Sequence, residues 1–499
     1  MRQDELPSET GIAIVGAGFG GLGMAIRLKQ AGIDDFVVLE RAADVGGTWY
    51  ANSYPGCQCD VPSNLYSFSF ARKADWTHSY PEQPQILDYL HDCWRRFGID
   101  AHTWTSCEMT EATWLADEQR WRVETQLGTV TARVLVGASG VLSEPVVPVI
   151  EGLDDFRGRI FHSAAWDHSH DLRGERVGLV GTGATAIQIG PRIRPRVAKL
   201  SVFQRTPPWI LRHPDHENPE WLKRLYAASP TVQRAARAGV YGLREGLVLG
   251  VAYEPRLMKF VELQARAHMR MQVRDAALRR RLTPDYTIGC KRILLSSDWY
   301  PMLQEPNCEL VTSGIARLTP SGVVSGDGVE HPLDALIFAT GFSPTDPPIA
   351  RRLRGRAGET LSDAWQGSPQ AYLGTTVAGF PNLFLLWGPN LNLAHTSIVY
   401  MLESQIHYVM EALRVMHARG VGAIEVRGEV QDAWNDEVQR RLQRTVWDTG
   451  GCASWYLDRN GRDSVMWPDF TFRFRRRVRE FDASDYVLEA TPALAGAVP

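Results

Sequence analysis

With 499 residues the chain has room for two or three domains and a large core. Its 44% apolar and 22% charged content excludes a disordered or fibrous protein. A net charge of -3 gives no reason to expect nucleic acid or an anionic membrane as a partner.

The first ten residues are polar and lead into a strand, which reads as no signal peptide. Residues 11–15 read as a short buried strand, 19–31 as a helix behind a glycine loop, and 36–39 as a second strand ending at Glu40. That is one βαβ unit. A second unit runs from a strand at 176–180, through a loop at 181–186, to a strand at 199–203. Strands alternating with helices argue for parallel sheets and an α/β class. Between about 217 and 282 the pattern changes to long, charged, helical periodicity, read as an insertion in the second domain. A buried strand at 336–338 runs into Ala339-Thr340-Gly341, another lies at 383–387, and a long helix covers 396–417. These are assigned to a return into the first domain. The expected division is therefore 1–145 for the first nucleotide domain, 146–335 for the second with its insertion, and 336–499 for the return and C-terminal region. Residues 491–499 read as a frayed tail. No uncharged apolar run reaches the ~18 residues of a membrane span, so no stable membrane insertion is expected.

Gly16-x-Gly18-x-x-Gly21 follows a strand and opens a helix. The first glycine permits the tight turn, the second lets a pyrophosphate approach the backbone, and the third lets helix pack on strand. Free N–H groups at the helix start face the phosphates. Glu40, at the end of the next strand, supplies the carboxylate that accepts from ribose hydroxyls. Gly181-x-Gly183-x-x-Ala186 repeats the device, with Thr182, Ala184 and Thr185 completing its loop. Where the first unit has Glu40, the second ends in Gln204-Arg205-Thr206. A cation and a hydroxyl there favour a 2′-phosphate. The first loop should thus hold FAD and the second NADPH. Disulfide reductases also carry two such loops, but they need a redox-active cysteine pair soon after the first unit. Cys57 and Cys59 are too close together for that, and no second pair makes them a zinc site. All seven cysteines read as free thiols in a reducing cytoplasm.

Two fingerprints stand among these loops. One is Gly46-Gly47-Thr48-Trp49, then Tyr54-Pro55-Gly56 and Asp60. The other is Phe156, Gly158, His162, Trp166 and Asp167. With Gly289-Cys290-Lys291-Arg292 they resemble the Baeyer–Villiger monooxygenases. Pro284-Asp285-Tyr286, Ser297-Asp298-Trp299-Tyr300, Gly388-Pro389-Asn390, His395, Ser397 and Ser454-Trp455-Tyr456 resemble the branch related to 4-hydroxyacetophenone monooxygenase, without the long N-terminal extension of that branch's namesake. The resemblance implies two Rossmann-like dinucleotide-binding domains. It implies a flavin enzyme that converts a small-molecule ketone and O2 to an ester or lactone through a C4a-peroxyflavin, at the expense of NADPH. It also implies that Phe19, Gly47, Thr48, Trp49, Gln58, Cys59 and Tyr66 belong to the cofactor site and that Asp60 lies beside flavin and nicotinamide. Lys291 is implied to hold the NADP phosphate with Arg205 and Thr206, and Arg292 to enter the active site. Arg292 suits an anionic centre because a guanidinium stays protonated and offers several donors, with Asp60 orienting it. The helix start near His395–Ile398 is expected to direct its dipole at the flavin. His162 reads as a residue tying two domains together rather than a catalyst. The basic run from Arg473 to Arg479 reads as a solvated face. Oxidation of sulfur or nitrogen, or a redox-sensing flavoprotein without oxygenation, remain the alternative readings.

Overall fold

The computed structural model describes residues 5–452 and 454–491. Residues 492–499, most of the expected tail, lie outside the described part.

The first glycine loop belongs to an eight-stranded sheet. Strand Glu9–Val15 pairs in parallel with Phe36–Leu39 on one side and with Gly128–Gly137 on the other. Phe36–Leu39 is buried along its whole length, as expected of a parallel strand covered on both faces. Helix Phe19–Gln30 buries Leu22, Met24, Ala25, Ile26 and Leu28 between the sheet and neighbouring helices. An antiparallel hairpin, Met109–Leu115 and Arg120–Thr125, extends the sheet beyond Gly128–Gly137. Chain from much later returns to the same sheet: Leu383–Leu385 pairs with Gly128–Gly137, and Leu353–Arg354 pairs with Met109–Leu115.

The second sheet has five parallel strands in the order Cys308–Val311, Lys199–Phe203, Arg176–Val180, Ala335–Phe338, Arg159–His162. This corrects the strand expected at 336–338. It lies between Arg176–Val180 and Arg159–His162 in the second sheet, not in the first. Its four residues are all buried. An apolar run of that length fits the interior of either parallel sheet, so the sequence does not tell which sheet takes it.

Between Lys199–Phe203 and Cys308–Val311 the chain forms helices Glu220–Ala228, Pro230–Glu245, Met258–Gln272 and Ala276–Leu282. Ser229 caps the second of these at Val232 N, and Asp275 caps the last at Ala277 and Leu278 N. Helix Ile398–Arg419, capped by Ser397 and ended by Gly420 in the left-handed region, packs against Phe19–Gln30.

A second correction concerns the cysteines. Cys290 and Cys452 form a disulfide with a Cα–Cα distance of 6.2 Å across 162 residues of sequence. No local spacing can announce such a pairing. It is made by two loops packed so closely that a Cβ on Gly450 would come within 2.6 Å of Cys290 Cβ. Cys57, Cys59, Cys93, Cys107 and Cys308 are free.

Candidate functional site

The first loop opens onto a cleft whose empty space, open mouth included, is about 1270 Å³. Gly16, Gly18, Phe19, Glu40, Gly47, Thr48, Trp49 and Tyr66 line it. Gly16 has φ +104°, and a Cβ there would lie 2.6 Å from Ala138 O. Gly21 is stricter: its Cβ would sit 1.8 Å from Gly16 O, so helix meets turn only with glycine present. Gly18 and Gly47 face each other closely, with a Cβ on Gly47 2.9 Å from Gly18 Cα. The bare backbone on this side is the cradle a pyrophosphate needs. Glu40 accepts from Ala17 N at 2.7 Å and Ala42 N at 2.8 Å. Each carboxylate oxygen keeps a further lone pair for a ribose hydroxyl. Trp49 Nε1 donates to Tyr66 OH at 3.0 Å, and Phe19 meets Tyr66 edge-on at 5.1 Å, giving an aromatic wall. Ile398 and Leu402, from the first turns of helix Ile398–Arg419, line the same cleft. That helix start carries no acidic residue in its first turn, so its positive end is not neutralised by its own side chains.

The second loop repeats the geometry. Gly181 has φ +113° with Ala339 O 2.5 Å from a Cβ, while a Cβ on Gly183 would meet nothing within 4 Å. Gly183 and Ala184 are exposed, Thr185 is half-buried, and Ala186 is buried under the helix. Thr182 Oγ1 donates to Thr206 O at 3.0 Å and joins the loop to the end of the next strand. Arg205 is exposed there. Lys291 stands near it, its ammonium held below the ordinary range by burial and by the Arg205 charge. Two cations drawn together in this way suit a shared phosphate ligand.

Asp60 and Arg292 form a bidentate pair. Arg292 Nε donates to Asp60 Oδ2 at 2.5 Å and Nη2 to Oδ1 at 2.6 Å. Nη1 donates to Leu393 O at 3.1 Å. Burial alone would raise the Asp60 carboxyl, but the Arg292 guanidinium outweighs it and holds the acid below its usual range. Burial likewise works against the Arg292 charge and is overcome by Asp60. Both partners remain partly accessible. Three of the five N–H donors of the guanidinium are used, which leaves two.

Gln58, Cys59, Asp60 and Arg292 stand outside the walls of the first cleft. Gln58 Nε2 is spent on Tyr80 O at 3.0 Å and Asp215 Oδ2 at 2.8 Å, and Cys59 is buried with its thiol pushed up by burial. The structure thus gives both side chains packing and bridging positions rather than open ones. Tyr456 is buried within electrostatic reach of Arg292, while Trp455 is exposed. The Cys290–Cys452 bridge joins the two loops that bring them together.

Two site residues escape sequence reasoning. Glu245, at the end of helix Pro230–Glu245, is buried. It faces His395 Nε2 at 3.1 Å and accepts from Thr471 Oγ1 at 2.6 Å and Thr471 N at 3.0 Å. It anchors the loop that offers Leu393 O to Arg292. The second is Gln188, on the helix after the second loop. It accepts from Tyr54 OH at 2.9 Å and donates to Gln58 O at 2.9 Å. Both partnerships span more than a hundred residues and leave no periodic signal.

The fingerprints acquire physical reasons. Gly56, φ +82°, lies so near the helix of the second unit that a Cβ would meet Arg192 Cγ at 2.8 Å and Gln188 O at 2.9 Å. Gly158 is pressed on Asp334 O, 2.3 Å from a Cβ. His162 is buried at the end of an edge strand, accepts from Ala164 N at 3.1 Å, and stands edge-on to Phe342. Burial lowers its imidazole pKa. Asp167 pairs with Arg159 at 2.5 Å.

Two dinucleotide cradles, an aromatic cleft and an arginine–carboxylate pair beside it define a flavoprotein oxidoreductase with a second nucleotide site. A family model described as pyridine nucleotide-disulphide oxidoreductase matches residues 13–231. A Baeyer–Villiger monooxygenase of Pseudomonas aeruginosa is 48% identical, covering 97% of this chain and 92% of the relative. One of Streptomyces coelicolor is 47% identical, covering 99% and 96%. A closed crystal structure of cyclohexanone monooxygenase superposes with a TM-score of 0.87 at 30% identity, covering 97% of this chain and all (100%) of that one. Steroid monooxygenase bound to NADP gives 0.86 at 30%, with the same coverage. The chain belongs to the Baeyer–Villiger monooxygenase family.

Proposed function

We propose that residues 1–145 and the chain beyond Phe338 hold FAD, that residues 146–338 hold NADPH, and that Arg292 backed by Asp60 is the oxygenating centre. The enzyme converts a ketone to an ester or lactone with O2, NADPH and FAD. Bound FAD, reduced by NADPH, would activate O2, of which one atom is inserted beside the carbonyl and the other leaves as water. The chain supplies placement and charge.

The observation that carries the reading is the bidentate Arg292–Asp60 pair. Asp60 fixes the guanidinium plane and tempers its charge. Two unspent N–H donors remain for negative charge developing on a substrate oxygen, and preorganised donors of this kind need no rearrangement as the charge appears. Leu393 O, held through the loop that Glu245 anchors, fixes the third edge of the guanidinium. Arg205, Thr206 and Lys291 supply the charge and hydroxyl that select NADPH over NADH. Dependence on NADPH, an intracellular reductant, supports a cytoplasmic location. Among the described residues, no helix is long and apolar enough to cross a membrane.

Arg292→Ala should retain bound FAD and its reduction by NADPH, while ketone conversion falls by ~10²–10³, the scale of one lost oxyanion donor. Lysine should rescue poorly, because a point charge cannot replace a planar fork. Stopped-flow reduction and ester quantification on one preparation test this. Near-normal ester yield from the alanine variant would place the centre elsewhere.

A further inference from the structure

Of the 21 exposed large hydrophobic side chains among the described residues, eleven fall between Trp221 and Met271. That concentration occurs in about a tenth of the chain. In helix Met258–Gln272, Lys259, Phe260, Leu263, Ala267, Arg270 and Met271 fall within one arc of about 120°. Phe260, Leu263 and Met271 are 69%, 64% and 72% exposed, whereas Met258, Ala265 and Met269 on the other side are in the core. A helix that covers a core normally turns a polar face to solvent; this one turns an apolar face, bordered along one edge by Lys259 and Arg270. Leu243 at the end of the preceding helix is 79% exposed.

Charge is segregated in the same stretch of the sequence. Residues 217–282 hold 13 Lys and Arg against 6 Asp and Glu, while the remaining chain holds 41 against 51. The overall charge of -3 conceals this surplus of seven cations. The basic run after Asp469 adds to it. Arg473 donates to Tyr253 OH at 2.7 Å, Tyr253 packs on Phe470, and Phe472 stands exposed beside them with Arg475 and Arg476.

We infer that this face is a peripheral docking surface for an anionic lipid bilayer. Exposed aliphatic and aromatic side chains seat at the headgroup–acyl boundary, and surrounding cations are drawn to anionic headgroups. A second copy of the chain is disfavoured because a symmetric contact would set two cationic surfaces against each other. Nucleic acid matches the cations but leaves Leu243, Leu263 and Met271 without an apolar partner. Docking here leaves the catalytic residues untouched and brings the enzyme to where apolar ketones partition.

Flotation of the purified holoenzyme with vesicles tests this, using phosphatidylcholine alone and phosphatidylcholine with about 30% phosphatidylglycerol. The protein should float with the anionic vesicles, at least tenfold more than with neutral ones, and be released as salt rises from ~0.1 to ~0.5 M. Phe260→Glu with Leu263→Glu should abolish flotation while melting temperature and turnover of a water-soluble ketone stay unchanged. Lys259→Glu with Arg270→Glu should weaken it at least threefold. Equal flotation of parent and apolar variants, or none with anionic vesicles, overturns the inference. So does sedimentation of the parent as a dimer that the Phe260/Leu263 variant dissolves, or salt-sensitive binding of an oligonucleotide in place of vesicles.

Discussion

Asp463 is buried, with Oδ1 accepting from Val465 N and Met466 N, both at 2.9 Å, and Oδ2 without a partner. Burial pushes its carboxyl up to about 7; the two backbone N–H groups oppose this, and Asp448 and Asp458 add to it. An unfolded aspartic acid titrates near 3.9. The folded state therefore holds a proton that the unfolded chain has lost between these values. The stability this group contributes is complete below the unfolded pKa and is lost as pH rises through about 7. The substitution Asp463→Asn keeps an acceptor for both N–H groups and never ionises. The difference in unfolding free energy, variant minus parent, should rise from pH 5 to pH 8 by on the order of a few kcal/mol at most, and the difference in melting temperature should rise with it. Parallel curves from thermal melts across that range would show that Asp463 does not titrate there. This residue also marks a boundary of what sequence can tell. Arg292 and Asp60 are legible because they sit in motifs, and their side chains pair in the structure. Asp463, Glu245 and Gln188 act through burial or through partners distant in sequence, and nothing adjacent to them signals it.

Among elements, the local units are the legible ones. The strand–turn–helix at 9–30 and its counterpart at 176–193 stand where glycine spacing and apolar runs put them, because each is closed by contacts inside some twenty residues. The strand Ala335–Phe338 is legible as a strand and not as a member of its sheet, since pairing is decided by two strands over a hundred residues upstream. The loop pairing at Cys290 and Cys452 is the extreme case. Its location gives it a consequence: Cys290 precedes Lys291 and Arg292, and Cys452 precedes Tyr456. Reduction, or Cys452→Ser, should free the loop after Gly450 and lower stability. Chain entropy alone puts a loop of this length at about 5 kcal/mol, and disulfides typically deliver about 2–4. FAD content should hold, since no wall of its cleft is involved. A melting temperature indifferent to dithiothreitol, in a protein shown by mass to carry the bond, would mean that loop packing alone fixes the pair.

At the scale of the whole molecule, the chain must bring two nucleotide sites face to face, and the contact between them is the least legible feature. The Gly46–Asp60 fingerprint is visible as a pattern, but its reason lies in the other sheet's helix. Gly56 is bare so that helix Ala184–Ile193 can approach, and Gln188 of that helix takes Tyr54 OH and both backbone groups of Gln58. One glutamine thus joins the Gly46–Asp60 segment, whose first residues line the first cleft, to the helix that follows the second glycine loop. Gln188→Ala leaves the Tyr54 hydroxyl and the Gln58 carbonyl unpaired in a partly buried seam, where each lost partner costs ~1–3 kcal/mol. FAD should stay bound with an ordinary flavin spectrum, because Gly16, Gly18 and Glu40 are untouched. The rate of flavin reduction by NADPH should fall by roughly tenfold or more, since small misplacement of reacting groups is expensive. Restoring a carboxamide one methylene shorter, Gln188→Asn, should recover little of it, because the bridge is set by reach. Stopped-flow reduction at saturating NADPH separates this from weaker binding. If the saturated rate is unchanged and only the NADPH requirement rises, Gln188 holds the second nucleotide loop and does not set the alignment of the two sites.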